Sequence, residues 1–132
     1  MPFLLDTDTC IFALKHHTRV RQMMTNHRRS EINISVITEC ELLLGAAKSA
    51  NPRSTKKRVL NFLQPLRILE FNSEDAIHYA AVRATLEKAG TPIGPLDTLI
   101  GSQAVSRRLT LVTHNTREFT RIPKLKVIDW HT

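Results

Sequence analysis

Aromatic residues are scarce in this chain. Five Phe, one Trp and one Tyr make up 5% of its 132 residues. A core must therefore be built mainly from Leu, Ile, Val and Ala, and extensive stacking of nucleobases on aromatic surfaces is not expected. Cysteine is nearly absent too. Cys10 and Cys40 lie in apolar contexts, and no Cys/Cys or Cys/His spacing suits zinc. Both read as small buried hydrophobes in a reducing cytoplasm. Long apolar runs are missing. Only Phe3-Leu4-Leu5 precedes the first charge, Asp6, so neither a signal-peptide core nor a membrane span is expected. Acids are outnumbered, 12 against 19 Lys and Arg, for a net charge of +7. That balance favours nucleic acid or another acidic partner. Repeats, low-complexity tracts and linkers are lacking as well. Residues 1–132 are expected to form one domain, long enough to bury a hydrophobic core.

Five short runs read as strands: Phe3 to Leu5, Glu31 to Ser35, Arg67 to Phe71, Leu109 to Thr113 and Leu125 to Asp129. Most are continuous apolar or β-branched runs, which suit a parallel sheet covered on both faces. Helical patterns lie between them. Thr9 to Lys15 has a cap at Asp8 or Thr9, and Thr18 to His27 is polar. Val36 to Ser49 has Ser35 as its N-cap and an apolar stripe of Val36, Ile37, Cys40, Leu43, Leu44 and Ala47. Arg53 to Leu63 is basic. Ser73 to Lys88 carries Glu74 and Asp75 in its first turn and stops before Gly90. Leu96 to Arg107 is introduced by Pro95. The alternation predicts an α/β fold with right-handed crossovers.

What remains is a set of acidic and amide residues placed at strand ends and helix starts. Asp6 leaves the first strand, at the edge where open α/β sheets bind ligands. Glu39 and Glu41 share a helix but point about 200° apart, so one alone can face a common site, and periodicity does not choose between them. Asp97 falls in the first turn of its helix, where free backbone N–H groups favour a carboxylate with or without chemistry. Asn115 and Glu118 follow the Val112-Thr113 strand end and enter a helical stub, Asn115 as either a left-handed turn residue or a ligand. His114 beside them reads as structural or solvated. Carboxylates converging without lysine repel one another in a low-dielectric pocket. A divalent cation resolves the conflict, and Mg²⁺ or Mn²⁺ suits oxygen ligands.

Together these segments resemble a known family. Leu4-Leu5-Asp6-Thr7-Asp8-Thr9-Cys10-Ile11 is similar to the opening of PIN-domain ribonucleases. Ile34 to Leu42 followed by Leu44-Gly45-Ala46 resembles their second motif, in which the acid precedes Leu; that match selects Glu41. Gly90 to Ile100 resembles the third motif, and Val112 to Phe119 with Ile128-Asp129-Trp130 the closing segment. The resemblance spans the chain and is nearest to VapC-type toxins of toxin–antitoxin pairs. It implies a three-layer α/β/α PIN-like domain with a central, mostly parallel sheet of about five short strands. It also implies a metal-dependent endoribonuclease that hydrolyses phosphodiester bonds in structured RNA. For enteric relatives the substrate is the anticodon region of initiator tRNA.

On that resemblance Asp6 and Asp97 hold Mg²⁺ or Mn²⁺. Glu41 is a ligand or orients the nucleophile. Asn115 and Glu118 complete the site, and Asp8 and Thr113 support it from behind. Asp8 stands where many relatives carry Asn, and Asn115 where many carry Asp, so a second cation is expected to arrive only with substrate. Candidate phosphate contacts are Arg28, Arg29, Arg53, Lys56, Lys57, Arg58 and the pair Arg107-Arg108. The resemblance further implies a homodimer neutralised by a VapB-type antitoxin, whose tail would lie in an apolar groove near Ile11, Phe12 and Leu14. Three other readings are a basic nucleic-acid-binding module without catalysis, a DNA-directed PIN nuclease, and a receiver-like phosphoacceptor. The last lacks an adjacent acidic pair at the first strand end and is too basic.

Overall fold

The computed structural model describes residues 2–132. In chain order the elements are β1 (Phe3–Leu5), α1 (Thr7–Leu14), α2 (Thr18–Thr25), β2 (Ile32–Ser35), α3 (Val36–Ala47) and α4 (Pro52–Leu63). They continue as β3 (Arg67–Leu69), α5 (Ser73–Lys88), α6 (Pro95–Arg107), β4 (Thr110–Val112), α7 (Thr116–Phe119) and β5 (Val127–Ile128). The strands form one sheet in the order β3-β2-β1-β4-β5, and every neighbouring pair is parallel. The chain fills one side of β1 first and then crosses to the other. The strand order therefore reverses between β1 and β4, and a crevice opens at their carboxyl ends.

Side chains alternate across the sheet, as strand geometry requires. Phe3 and Leu5 of β1 join Ile32, Ile34 and Val112 in one buried cluster, covered by α1 to α4. Leu4 joins Leu69 and Leu111 in the second cluster, with Ile100, Ala104 and Phe119 from α6 and α7. The result is a three-layer α/β/α arrangement. Gly101 permits the tightest approach on the second face, since a Cβ there would lie 2.5 Å from Ile122 Cδ1.

Strand and helix boundaries shift by one to three residues from the sequence reading. Glu31 falls in a 3₁₀ turn, Arg29–Glu31, and α1 starts earlier, at Thr7. Two assignments change in kind. The buried positions of α3 are Thr38, Leu42 and Ala46, so the apolar stripe of Val36, Ile37, Cys40, Leu43, Leu44 and Ala47 is not the buried one. Leu44 is 58% exposed. Cys40 is exposed as well, and Cys10 alone is a buried thiol. Apolar periodicity misplaces this helix because its buried face is made partly of small and polar residues that satisfy each other.

Helix α5 begins with reciprocal capping. The Asp75 N–H donates to Asn72 Oδ1 and the Asn72 N–H to Asp75 Oδ2, each at 3.0 Å. It ends at Gly90, whose φ of +72° suits a residue without Cβ. The Thr91 N–H then reaches back to the Leu86 carbonyl at 2.9 Å, turning the chain toward α6.

Asp75 is fully buried, and Arg107 donates to both its oxygens, at 3.1 and 3.0 Å. Burial pushes the Asp75 pKa up, but Arg107, the Asn72 N–H and the Ser106 hydroxyl outweigh it and hold the carboxyl below its ordinary value. Arg107 is thus committed to the α5–α6 contact. Its assignment as a phosphate contact is corrected, because its guanidinium already serves Asp75 and the Glu70 carbonyl. Replacing Arg107 with Ala should strand a buried carboxylate and cost about 3 kcal/mol, measured by chemical denaturation.

Candidate functional site

Asp6 is the residue at which β1 becomes α1. It is the N-cap of α1, and its Oδ1 accepts the Thr9 N–H at 2.9 Å. Its own N–H donates to the Val112 carbonyl at 3.0 Å, which locks it to the end of β4. The Thr9 hydroxyl donates to the same carbonyl at 3.1 Å. Asp6 is only 2% exposed. Burial raises its pKa. The Thr113 hydroxyl and the Thr9 donors act against this, Asp8 adds to it, and the net shift is upward. Thr113 also accepts the Asn115 N–H at 2.9 Å, so it links the β1 and β4 strand ends.

Glu41 reaches the same place from the middle of α3. Thr7 donates its hydroxyl to Glu41 Oε1 at 2.7 Å and lies 3.0 Å from the Thr38 hydroxyl. Thr38 and Thr7 are both buried, so this chain of hydroxyls fixes the carboxylate's direction. Neither threonine stands out in the sequence. Their signal was the pairing of small hydroxyl residues beside each acid, which is visible only once α1 packs on α3. Glu39 has no part in this network.

Asp97 is the third residue of α6, behind Gly94 at the N-cap and Pro95. Its carboxyl pKa is pushed up to about 6, first by burial and then by the charges of Asp6, Glu41, Asp8 and Glu118. Asp6 and Asp8 at the start of α1, Glu41 on α3 and Glu118 on α7 therefore all act on Asp97. Asp8 is exposed at the rim, and Glu118 is half-buried on α7. Asn115 is the N-cap position of α7 with φ −90°, outside the left-handed region, and its side chain makes no capping bond. Its amide is free for another partner, which removes the simple turn-residue explanation.

The fit to a cation can be judged on this donor set. Asp97 and the four carboxylates that act on it offer hard oxygen donors of the kind Mg²⁺ or Mn²⁺ prefers. Among the described residues no three of His, Cys, Asp or Glu are drawn into a closed ligand cluster. The acids approach Asp97 from α1, α3 and α7 rather than closing on one point. That suits a hydrated ion held by one or two carboxylates, with others acting through water.

The remaining candidates separate. Arg53, Lys56 and Lys57 are exposed on α4, which packs on the helix that carries Glu41. Arg58 donates to the Leu14 carbonyl at 3.0 Å, closing the end of α1. Arg28 and Arg29 are exposed at the amino end of β2, the opposite edge of the sheet from the acids. A groove of about 320 Å³ between α1, α3 and α4 is lined by Ile11, Leu14, Leu42 and Val59, with Glu41 and Arg58 among its polar residues. Phe12 is not part of it. The expected groove of Ile11, Phe12 and Leu14 is corrected at that position, because helix geometry turns Phe12 toward His17, His114 and His131 instead.

Comparison with known proteins is consistent across methods. A family model for the PIN domain matches residues 3–125. The chain is 42% identical over 130 residues to the tRNA(fMet)-specific endonuclease VapC of Salmonella typhimurium, covering 98% of each chain. It is 34% identical over 132 residues to Ribonuclease VapC2 of Rickettsia felis, again at 98% of each. Among solved structures, DNA-bound VapBC from Salmonella typhimurium superposes with a TM-score of 0.94 at 41% identity, covering 98% of each chain. VapBC2 from Rickettsia felis, bound to a promoter DNA fragment, gives 0.91 at 34% identity over 98% of this chain and 99% of that one.

The elevated pKa of Asp97 has a definite sign. Between its ordinary 3.8 and about 6 the folded chain holds a proton that the unfolded chain has lost. Metal-free protein should therefore lose stability as pH rises through that window and stay weakened above it. Thermal melting across pH should show the fall, and Asp97→Asn should flatten it and melt higher than the parent at about pH 7.5. Divalent cation should restore the parent above about pH 6, where the carboxyl is ionised, and do little below it.

Proposed function

The chain belongs to the PIN-domain family, and within it we propose that it is a VapC-type ribonuclease, the toxin of a toxin–antitoxin pair. One observation carries the reading: Asp6, Glu41, Asp8 and Glu118 all bear on the Asp97 carboxyl and, with burial, push its pKa up to about 6. The chain is an RNA-hydrolysing enzyme, and the carboxylates are its catalytic centre. Asp6 and Asp97 would hold the divalent ion, Mg²⁺ or Mn²⁺. When bound, that ion polarises the scissile phosphate and activates water for attack. Glu41, aimed by Thr7, orients the nucleophile or shares the cation. Asn115 and Glu118 supply a neutral and a charged donor on the β4–α7 side. Thr113 holds Asp6 in register, and Asp8 keeps the rim negative.

Such a pocket repels RNA until the cation is present, so a basic surface must retain the strand. Arg53, Lys56 and Lys57 on α4 are the best placed phosphate contacts, with Arg58 partly committed to α1. Arg28 and Arg29 would act only on a long substrate that reaches the far edge of the sheet. Structured RNA is the substrate class; a tRNA, and initiator tRNA in particular, is supported by the name of the Salmonella relative, and the anticodon region is the finer reading.

The partner is a VapB-type antitoxin, supported by the VapBC complexes that share the fold. The groove beside Glu41 suits an apolar segment of that partner, with a basic side chain reaching toward the acids. A second copy of the chain is the other expected partner, and exposed Leu44, Ile77 and Leu96 offer it apolar surface. The 132 residues act as one domain. Among the described residues no helix is long and apolar enough to cross a membrane, and the cytoplasm is the proposed compartment.

Two outcomes test this reading. Asp6→Asn and Asp97→Asn should each lower Mg²⁺-dependent cleavage of tRNA by at least about 100-fold while RNA binding persists, and chelation should abolish cleavage by the parent. Binding without cleavage by the parent would instead mark a basic nucleic-acid-binding module. For the partner, Leu14→Glu should weaken antitoxin affinity by about tenfold or more and Phe12→Glu should not, as measured by calorimetry.

A further inference from the structure

Four rings outside the acidic pocket form a column that no role above uses. His17 and His131 stack with centroids 4.1 Å apart, and His131 and His114 stack at 4.0 Å, with interplanar angles of 30° and 28°. Phe12 abuts all three imidazoles, at 5.8, 4.4 and 5.7 Å. His114 follows Thr113, the residue whose hydroxyl holds Asp6, and precedes Asn115. The column therefore stands at the carboxyl edge of the sheet, beside the cation pocket.

The column is built rigidly from below and left open at one end. His17 Nδ1 accepts the Val20 N–H and so fixes its ring as the cap of α2. Trp130, buried against Phe3 and stacked on His27, anchors the tail that carries His131. His114 Nδ1 is held by Asp129 Oδ2 at 2.9 Å. Its side chain is nevertheless 42% exposed, and among the described residues its aromatic contacts are with His131 and Phe12. A ring fixed in orientation, backed by two more, and bare on its outer side is a stack lacking its last member.

We propose that this last member is an unpaired nucleobase of the RNA substrate, seated on the outer face of His114. The inference rests on the ribonuclease reading and deepens it, because it names a base-recognition element beside the cleavage centre. Single-stranded and loop RNA is held in this way, since an unstacked base offers a π-face to an aromatic or histidine side chain. The scarcity of Phe, Tyr and Trp had pointed away from stacking, and here imidazoles supply the surface instead. Preordering by Asp129 and the rings beneath spares the entropy of fixing the platform at the moment of binding. The preference follows directly: duplex RNA, whose bases are already stacked, gains nothing from the column, whereas a loop does.

The test uses the full chain carrying Asp6→Asn, which blocks cleavage. The probes are a stem-loop RNA with 2-aminopurine in the loop and a blunt duplex with the same stem. The parent should quench the 2-aminopurine fluorescence on binding. Adding His114→Ala should weaken stem-loop binding about five- to tenfold, leave duplex binding unchanged and remove the quenching, while His114→Phe should restore both. An absence of quenching by the parent overturns the inference even if His114→Ala fails to fold. Equal losses on stem-loop and duplex, or a His114→Phe chain no better than His114→Ala, overturn it in favour of a contact made by charge. Should the wild-type chain still cleave RNA in any of these cases, the ribonuclease reading survives and the base platform alone falls.

Discussion

Mutual repulsion among carboxylates is the constraint on which the rest of this molecule is arranged. Asp6, Asp97, Glu41, Asp8 and Glu118 would separate if they could, and half-buried Asp97 registers the cost in a pKa near 6. They cannot separate because rigid elements fix them: Asp6 and Asp8 at the start of α1, Glu41 on α3, Asp97 on α6 and Glu118 on α7. Asp6 is tied to a strand end by backbone and to a helix start by its side chain, and Glu41 is steered by a buried hydroxyl pair. The folded state carries this local instability beside the metal pocket and offsets it with two hydrophobic layers. Such a site is preorganised for a cation before any cation arrives.

The surroundings divide the charge. Lys and Arg are spread over the chain, with a dense exposed group of Arg53, Lys56, Lys57 and Arg58 on α4, whereas the acids gather around Asp97. Arg107 pairs with buried Asp75 at the far end of α6 and keeps α5 and α6 together, so the helix that presents Asp97 does not drift. Negative pocket and positive body are thus separate parts of one design. On the proposed reading a cation would bridge them to an RNA strand, and the apolar groove beside Glu41 would give a partner protein a way to reach the acids from the side.

Much of the fold was legible because the signals are local. Runs of apolar residues between helical patterns identified five strands, the edge strands β3 and β5 being only partly buried, and Ser35, Pro95 and Gly90 marked helix ends through their own backbone chemistry. Residues whose environment is assembled from distant segments were not legible. Cys40 and Leu44 look buried by composition, yet α3 turns Thr38, Leu42 and Ala46 inward because α1 presents Thr7 to them. Arg107 looks like a phosphate contact until α5 brings Asp75 against it. Phe12 looks like groove lining until the histidines of three separate segments gather around it.

By itself the sequence determined which residues had the chemistry: acids at strand ends and helix starts, a basic remainder, too few aromatic rings for an ordinary stacking surface. Those properties follow from residue type and short-range periodicity. Tertiary structure alone decided which carboxylates share one field, which hydroxyls aim them, and that histidines from positions 17, 114 and 131 form a single column. Charge repulsion, hydrogen bonding and ring stacking act over a few ångströms, and only the folded chain brings residues a hundred positions apart to that distance.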